Sequence, residues 1–201
     1  MILNKGCHVS IAIIDCGGAN LRSVQHAFQL KGCEANITTD KTQIGEASHV
    51  VIPGVGSAGM VMNALNSLQL TSLIKELQQP VLGICIGMQI LYEYSQEQNT
   101  KCLGIINGEI KKLPTEQGMK IPQMGWNEVI FDKSALSNLD NHYYFANSYY
   151  AERSLETAAL TDYKVTMSSV VIKNNFIGCQ FHPEKSSLAG EQFLDYFLGL
   201  K

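Results

Sequence analysis

Cys85 stands between two glycines in the pentapeptide GICIG, where an apolar run ends and a helix-like run begins. A nucleophile on such a strand-to-helix turn is lifted into the open, and flanking glycines avoid collisions that a Cβ would cause. The following helix N-terminus would favour the thiolate, and the backbone N–H of Ile86 would become an oxyanion donor. The pentapeptide alone fits a buried structural cysteine equally well.

His182 is the candidate base for this nucleophile, because it follows a strand-like run directly in the motif FHPE. Pro183 predicts an extended backbone at His182, and residues two apart in an extended segment point the same way. Glu184 would then hold the imidazole in one tautomer, as the third group of a triad does. The alternative is a His-Pro turn with Glu184 in solvent. The other histidines, at positions 8, 26, 49 and 142, are interpreted as structural or exposed.

A glycine-rich turn, PGVGSAG, follows the strand-like run HVVIP. Gly54, Gly56 and Gly59 fit the pattern G-x-G-x-x-G, so a dinucleotide site is one interpretation. That fingerprint usually follows the first strand of a sheet, whereas this turn follows the third and is preceded by a proline. Because the ends of adjacent parallel strands meet at one edge, the N–H groups of Gly54, Val55 and Gly56 could instead complete an oxyanion hole.

The first half of the chain alternates strand-like runs (VSIAIID, EANITT, HVVIP, PVLGI) with helix-like runs, which predicts a parallel sheet. One predicted helix covers MQILYEYS. The second half is mainly strand-like (GEIKKL, WNEVIF, HYYFANSYY, SSVVIKNNFIGCQF), with a final helix in GEQFLDYFLGL. We predict an α/β fold: a flavodoxin-like open, mostly parallel sheet with helices on both faces and a β-rich second half. One domain is expected over residues 1–201.

Composition excludes several classes of function. The net charge is -3 and no basic cluster exceeds Lys111-Lys112, which argues against nucleic-acid binding or a polybasic membrane patch. The six cysteines form no C-x-x-C and no Cys/His pair at ligand spacing, so neither zinc nor a disulfide framework is expected. No apolar run approaches the ~18 residues of a membrane span or forms a signal peptide. A cytoplasmic protein is expected.

In their order along the chain, PGVG, GICIGMQ and FHPE resemble the class I (triad) glutamine amidotransferases. Within that family, NLRSV, IPGVGSAG, GICIGMQILYE, IPQMGWNEV and FHPEKS are similar to the glutaminase subunits of imidazole glycerol phosphate synthases, in histidine biosynthesis. The resemblance implies that Cys85 attacks the side-chain amide of glutamine and that His182 transfers a proton to the leaving ammonia. Glu184 would orient His182, and water would hydrolyse the glutamyl thioester. No metal or organic cofactor is implied.

The resemblance also implies binding residues and a partner. Glutamine would be held by Gln89, Glu97, Ser148 and Tyr149, and the oxyanion hole would be built from Gly54, Val55, Gly56 and Ile86. The implied partner is a (β/α)8 barrel synthase subunit that forms a heterodimer with the glutaminase and receives ammonia through an internal channel. The implied interface positions are Asn20, Gln123, Trp126, Tyr144 and Lys185.

Three positions depart from the family pattern. Cys16 stands where an aromatic residue is usual, and Gln123 and Asn147 stand where histidines are usual. These positions are expected in segments that face the barrel, so they leave a second function open: a paralogous glutaminase that supplies ammonia for surface-sugar amidination. A related cysteine peptidase and a dinucleotide-binding module are further alternatives.

Overall fold

The structure is a computed structural model that describes residues 9–17, 21–54, 56–115, 119–132 and 134–201. Asn20 and Val55, which have predicted site roles, lie outside the described residues. The strands are β1 (Ser10–Ile14), β2 (Glu34–Thr38), β3 (His49–Ile52), β4 (Val81–Ile84), β5 (Tyr94–Ser95), β6 (Thr100–Lys101), β7 (Glu109–Lys112), β8 (Gln123–Phe131), β9 (Asn141–Asn147), β10 (Tyr149–Ala151), β11 (Thr157–Asp162), β12 (Thr166–Lys173) and β13 (Phe176–Cys179). The α-helices are α1 (Leu21–Leu30), α2 (Lys41–Glu46), α3 (Ala58–Ser67), α4 (Thr71–Glu76), α5 (Ile86–Gln89) and α6 (Ser187–Leu198).

One half of the large sheet is parallel, with the strand order β2-β1-β3-β4-β13. Every residue of β3, β4 and β13 is buried, which is the pattern of parallel strands covered on both faces. The carboxyl ends of β3, β4 and β13 therefore lie side by side at one edge, where ligands bind in open α/β sheets.

The other half continues from β13 as β12-β11-β8-β9, and each of these pairs is antiparallel. The far strand, β9, lies against the segment that follows β13. The N–H of His182 in that segment donates to the carbonyl of Tyr144 on β9 at 2.8 Å. Tyr143 and Phe145 of β9 pack their rings on Phe181, with centroids 4.1 and 6.0 Å away. A smaller sheet has the order β10-β7-β5-β6.

The predicted α/β fold with a parallel first half and a β-rich second half is confirmed. The predicted helix over MQILYEYS is wrong: α5 ends at Gln89, and a two-residue strand occupies Tyr94–Ser95. The carbonyls of Ile90 and Leu91 accept hydrogen bonds from residues 103, 105 and 106, so a neighbouring segment takes the acceptors that a longer helix would use. Tertiary pairing has overridden a helical hydrophobic pattern here.

One other element differs from the sequence-based expectation. The run HYYFANSYY forms two strands, because the chain leaves β9 at Ser148 and β10 pairs in the smaller sheet. Helix α3 begins at Ala58 and is capped by the Ser57 hydroxyl, which accepts from the N–H of Met60. Across the described residues, no helix combines the length and apolarity needed to cross a membrane.

Candidate active site

Cys85 lies on a strained turn between β4 and α5, with φ +51° and ψ -107°. An L-residue rarely adopts this backbone, and such strain persists only where the surroundings hold it. Its N–H donates to the carbonyl of Cys179 at 2.7 Å, which ties the turn to the end of β13. A Cβ on Gly83 would lie 2.5 Å from the Gly87 carbonyl oxygen, and a Cβ on Gly87 would collide with the backbone of Ile52. Both glycines are therefore required by close backbone packing around the turn.

The expectation that the Cys85 thiol stands in the open is wrong. Cys85 is 4% exposed, and its Sγ lies 3.9 Å from the carbonyl oxygen of Ala146 on β9. It reaches solvent through a cavity of about 290 Å³ that it helps to line. The following helix, α5, has four residues, so its dipole adds little to thiolate stability.

His182 and Glu184 are in direct contact, with 2.8 Å between His182 Nδ1 and Glu184 Oε1. Their side chains are 8% and 2% exposed, respectively. The backbone route to this contact differs from the prediction: His182 is extended, with φ -101° and ψ 96°, but Pro183–Lys185 forms a 3-10 turn. The turn, and not an extended segment, brings the carboxylate to the imidazole.

The imidazole of His182 has an unusual pKa. Burial lowers it, but hydrogen bonds with Cys85 and Glu184, together with the negative charges of both, outweigh burial and raise the pKa to about 10. His182 is therefore protonated at neutral pH, and it lies between the Cys85 sulfur and the Glu184 carboxylate. A cysteine and a histidine in such contact can serve as nucleophile and proton carrier, with the carboxylate as the orienting third group.

Other buried cysteines have the opposite environment. Burial raises the pKa of the Cys16 thiol to about 12, with a further contribution from the charge of Asp15. Burial also raises the pKa of Cys102 to about 12, and the nearby charge of Glu97 adds to it. These thiols stay protonated and inert, whereas Cys85 has a base beside it.

The cavity at Cys85 gathers most of the predicted site residues. Its walls are formed by Gly54, Gly56, Cys85, Ile86, Gln89, Glu97, Pro122, Ala146, Asn147, Ser148, Tyr149 and His182. All four predicted glutamine-binding residues therefore line this cavity. Gly54 packs directly on the nucleophile turn, since a Cβ there would lie 2.6 Å from the Cβ of Cys85. Gly56 has φ +80°, which favours glycine.

A glutamate side chain occupies the N-terminus of α3, which conflicts with a dinucleotide site at the preceding turn. The N–H of Ala58, the first residue of α3, donates to Glu97 Oε2 at 2.7 Å. A pyrophosphate bound by G-x-G-x-x-G needs such free N–H groups and a neutral or positive surround. A carboxylate already occupies that position here.

Gln180 contacts Cys85 and was not predicted. Its Nε2 lies 3.6 Å from the Cys85 Sγ, and the residue is fully buried at the carboxyl end of β13. The sequence signal was a polar amide between two apolar neighbours, Cys179 and Phe181, at the end of a strand. Such an isolated buried polar residue needs partners, and these can be functional groups.

Three of the predicted partner-contact residues form one surface patch. The rings of Trp126 and Tyr144 meet edge to face with centroids 6.3 Å apart, and Lys185 Nζ lies 5.9 Å above the Tyr144 ring. Trp126 is 52% exposed, and Met124, two residues earlier on the same face of β8, is 67% exposed. Exposed aromatic and aliphatic patches of this kind are typical of interaction surfaces.

Gln123, another predicted interface residue, lines one surface cavity with Met124 and Trp126, but its own side chain is buried. It is 3% exposed, and it pairs in register with Asn147, which is 4% exposed. Cys16, the third departure from the family pattern, is 5% exposed. All three departures are therefore buried and do not alter the exposed side chains that would meet a partner.

Metal binding has no support in the described part of the chain, where no group of three or more His, Cys, Asp or Glu side chains could hold an ion. The chemistry available in the cavity is that of a buried cysteine sulfur, an imidazolium and a carboxylate. Together they can add sulfur to an acyl carbon and deliver a proton to the leaving group.

Comparisons with known proteins agree with this geometry. The family model for glutamine amidotransferase class-I matches residues 12–198. The chain is 43% identical to the imidazole glycerol phosphate synthase subunit HisH of Bacteroides fragilis strain YCH46, over 96% of this chain and all of that protein. It is 41% identical to the HisH subunit of Haemophilus influenzae, over 94% of this chain and 97% of that protein.

The fold has solved counterparts as well. A crystal structure titled as a glutamine amidotransferase superposes with a TM-score of 0.75 at 15% identity, covering 94% of this chain and 96% of that one. At that identity the likeness concerns the fold alone. The family model and the full-length relatives carry the assignment: the chain belongs to the class-I glutamine amidotransferase family and, within it, to the group of HisH subunits.

Proposed function

We propose that this chain is the glutaminase subunit of an imidazole glycerol phosphate synthase, acting as one domain over residues 1–201. It hydrolyses glutamine to glutamate and ammonia and passes the ammonia to a synthase subunit in histidine biosynthesis. The observation that carries the proposal is the pairing of Cys85 with a protonated His182, itself held by Glu184, at the wall of a cavity the size of a small ligand. The HisH relatives supply the pathway.

In the first step the Cys85 thiolate attacks the amide carbon of glutamine and forms a C–S bond. The amide oxygen becomes an oxyanion, which the N–H of Ile86 and the turn from Gly54 to Gly56 stabilise. His182 gives its proton to the amide nitrogen as the C–N bond breaks, so ammonia leaves and a glutamyl thioester remains.

In the second step a water molecule attacks the thioester carbon. His182, now neutral, takes a proton from this water, and the C–S bond breaks to release glutamate and the Cys85 thiolate. Glu184 keeps the imidazole in one tautomer and stabilises its cationic form in both steps. No metal ion or organic cofactor is required at any point of this sequence.

Glutamine is held by the remaining cavity residues. Ser148 and Tyr149 follow β9 and line the cavity together with Gln89 and Glu97, and the Tyr149 carbonyl accepts a hydrogen bond from Gln89 Nε2. The side-chain oxygen of Gln89, Oε1, is buried without a hydrogen-bond partner among the described residues, so a donor on the substrate would complete it. Glutamine offers such donors in its ammonium and amide groups.

The partner is a (β/α)8 barrel subunit that docks on the patch of Trp126, Tyr144 and Lys185. Trp and Tyr are the residue types that dominate binding energy at protein interfaces, and an Arg- or Lys-flanked aromatic surface suits an acidic rim. Because the departures at Cys16, Gln123 and Asn147 are buried, they give no ground for a different partner. The surface-sugar paralogue therefore has no structural observation in its favour.

The test is glutamate release by the purified chain, alone and with the barrel subunit encoded by the same organism. Cys85→Ala should abolish glutamate release, because no other group in the cavity can form the thioester. Cys33→Ala, which removes a buried thiol outside the cavity, is the matched control and should retain activity. Undiminished release by Cys85→Ala would overturn the triad, and stimulation by a sugar-pathway barrel instead would overturn the pathway.

A further inference from the structure

Gln180 is joined to Cys85 by a chain of side-chain hydrogen bonds that begins at the substrate cavity. Gln89 Nε2 donates to the carbonyl of Tyr149 at 3.1 Å and to Gln180 Oε1 at 2.9 Å. Gln180 Nε2 in turn lies 3.6 Å from the Cys85 Sγ. Gln89 is 1% exposed and Gln180 is fully buried, so water does not compete for these bonds.

The first acceptor in this series of hydrogen bonds determines which way both side-chain amides are oriented. A backbone carbonyl can only accept, so the Gln89 group that faces Tyr149 must be the NH₂. The same NH₂ faces Gln180, which must therefore present its oxygen to Gln89 and its own NH₂ to the sulfur. A flip of either amide would place two donors or two acceptors against each other inside the protein.

We propose that Gln180 is a positioning residue that stabilises the thiolate of Cys85 and links it to the occupancy of the glutamine site. A thiolate is a strong hydrogen-bond acceptor and a thiol a weak one, so an N–H directed at the sulfur favours the anionic form. This donor is additional to His182, which also hydrogen-bonds the sulfur. The link to glutamine rests on the proposed function, whereas the effect on the thiolate does not.

The link operates through the side-chain oxygen of Gln89, Oε1. Gln89 lines the cavity, and its Oε1 is buried without a partner among the described residues. A substrate N–H bonded there would fix the Gln89 amide, and through it the Gln180 amide that faces the nucleophile. Substrate binding would thus hold the sulfur in its reactive form without contacting it.

The test is the rate at which iodoacetamide alkylates Cys85 in the free chain between pH 5 and 10, followed on the Cys85 peptide by mass spectrometry. Gln180→Met keeps the length of the side chain and removes both hydrogen bonds. We expect the midpoint of its alkylation profile to rise by about one pH unit, which corresponds to about tenfold less thiolate below the midpoint. An unchanged midpoint in Gln180→Met would overturn the inference.

Gln180→Glu provides a second variant with a different pH signature. A protonated carboxyl can still donate to sulfur, whereas the ionised carboxylate repels the thiolate, so its alkylation rate should fall behind the parent increasingly as pH rises. A merely structural role would give both variants the same proportional loss at every pH. If Gln180→Met fails to fold, Gln180→Glu decides the question alone.

Asn175→Ala is the matched control. Asn175 also lies next to β13, but before its first residue, and its side-chain amide donates to the carbonyls of Leu77 and Gln79 at 2.8 and 2.9 Å. Its loss should lower stability while leaving the Cys85 alkylation profile in place. When glutamine is added, the midpoint of the parent's alkylation profile should move to lower pH, whereas the midpoint of Gln180→Met should stay unchanged. The remaining outcome is that glutamine moves the midpoint in neither protein, although the Gln180→Met midpoint is already raised without glutamine. That result would reject the link to substrate and keep the role of Gln180 in stabilising the thiolate.

Discussion

The parallel half of the large sheet, from β2 to β13, and the antiparallel half, from β12 to β9, differ in burial and in what they bring to the cavity. Strands β3, β4 and β13 are buried at every residue, and the nucleophile, the base and Gln180 follow β4 and β13. Strand β8 alternates between buried and exposed residues, and its outer face carries Trp126.

The two halves therefore have different physical requirements. Reactive groups must be held within fractions of an ångström, and strand ends buried on both faces provide that rigidity. A docking surface needs exposed apolar side chains, and a half-exposed antiparallel strand offers them in alternation. The comparison predicts that changes in the parallel half affect chemistry without any partner, while changes on β8 affect only the complex.

Glu184→Gln should have the largest effect on chemistry. The amide cannot compensate the imidazolium and can hold the wrong tautomer of His182, as in other triads, so kcat for glutamine should fall by about a hundredfold or more. The loss should be the same with and without the barrel subunit. Steady-state glutaminase assays check this, and a loss seen only in the complex would contradict the separation of the two halves.

The same variant changes how stability depends on pH. Because the folded pKa of His182 is about 10 and its ordinary value is 6.5, its contribution to stability is complete below about pH 6.5 and is lost as the pH rises towards 10. Glu184→Gln removes one cause of the raised pKa, so this loss should become smaller. Urea unfolding at pH 6.5 and pH 9 measures it; an unchanged difference between the two pH values would contradict the assigned charge state.

Gly87→Ala tests the rigidity of the parallel half. Its Cβ would collide with the Ile52 backbone, and backbone cannot move aside as a flexible side chain can. We expect a loss of about 3 kcal/mol in the free energy of unfolding, a large share of the total for a domain. Gly45→Ala is the control, since a Cβ there meets nothing within 4 Å. Equal unfolding midpoints for the two variants would show that β3 and α5 are not in tight contact.

Trp126→Ala tests the antiparallel half. Removal of a half-exposed aromatic at the centre of the patch should weaken binding of the barrel subunit by about tenfold to a hundredfold, or about 1.4 to 2.8 kcal/mol. Stability should change by no more than about 0.5 kcal/mol. Leu155→Ala, a fully exposed leucine, is the control. Calorimetric titration measures both affinities, and equal affinities would remove the patch from the interface.

The sequence predicted the parallel half better than the antiparallel half. Short, wholly apolar strands bounded by turn residues are recognisable without knowledge of their neighbours, as HVVI and VLGI were. The helix over MQILYEYS was wrong because pairing with residues 103–106, distant in sequence, decided the backbone there. Local periodicity carries no information about such long-range acceptors.

The same distinction between local and long-range determinants applies to the candidate active site. Cys85, His182 and Glu184 stand in motifs whose neighbours, glycine and proline, constrain the backbone locally, and the structure brings the three together. The buried state of Cys85 and the contact of Gln180 with its sulfur depend on how β13 and β9 meet. That meeting is a property of the folded sheet, and no spacing in the chain encodes it.

Ser186→Ala tests the joint between the two halves and should have the smallest effect. The Ser186 hydroxyl donates to the carbonyl of His182 at 2.7 Å and accepts from the N–H of Tyr144 at 2.9 Å, so one buried side chain connects the base to β9. Its loss leaves the Tyr144 N–H without its acceptor, while the His182 carbonyl still accepts from the Lys185 N–H, so the cost in stability should be about 1 to 2 kcal/mol. Ser169→Ala removes an equally buried hydroxyl, bonded to Thr161, and should cost a similar amount.

The two serine variants separate stability from position. His182 keeps its bonds to Glu184 and Cys85 in Ser186→Ala, so kcat should fall by less than about tenfold, while Ser169→Ala should leave kcat unchanged. The reduction should be larger for the complex than for the free chain, because a partner on Tyr144 acts on His182 through the Ser186 hydroxyl and through the Tyr144 carbonyl, and the variant breaks one of these two links. Equal kcat values for the two variants, at equal stability, would show that β9 covers the cavity without positioning the base.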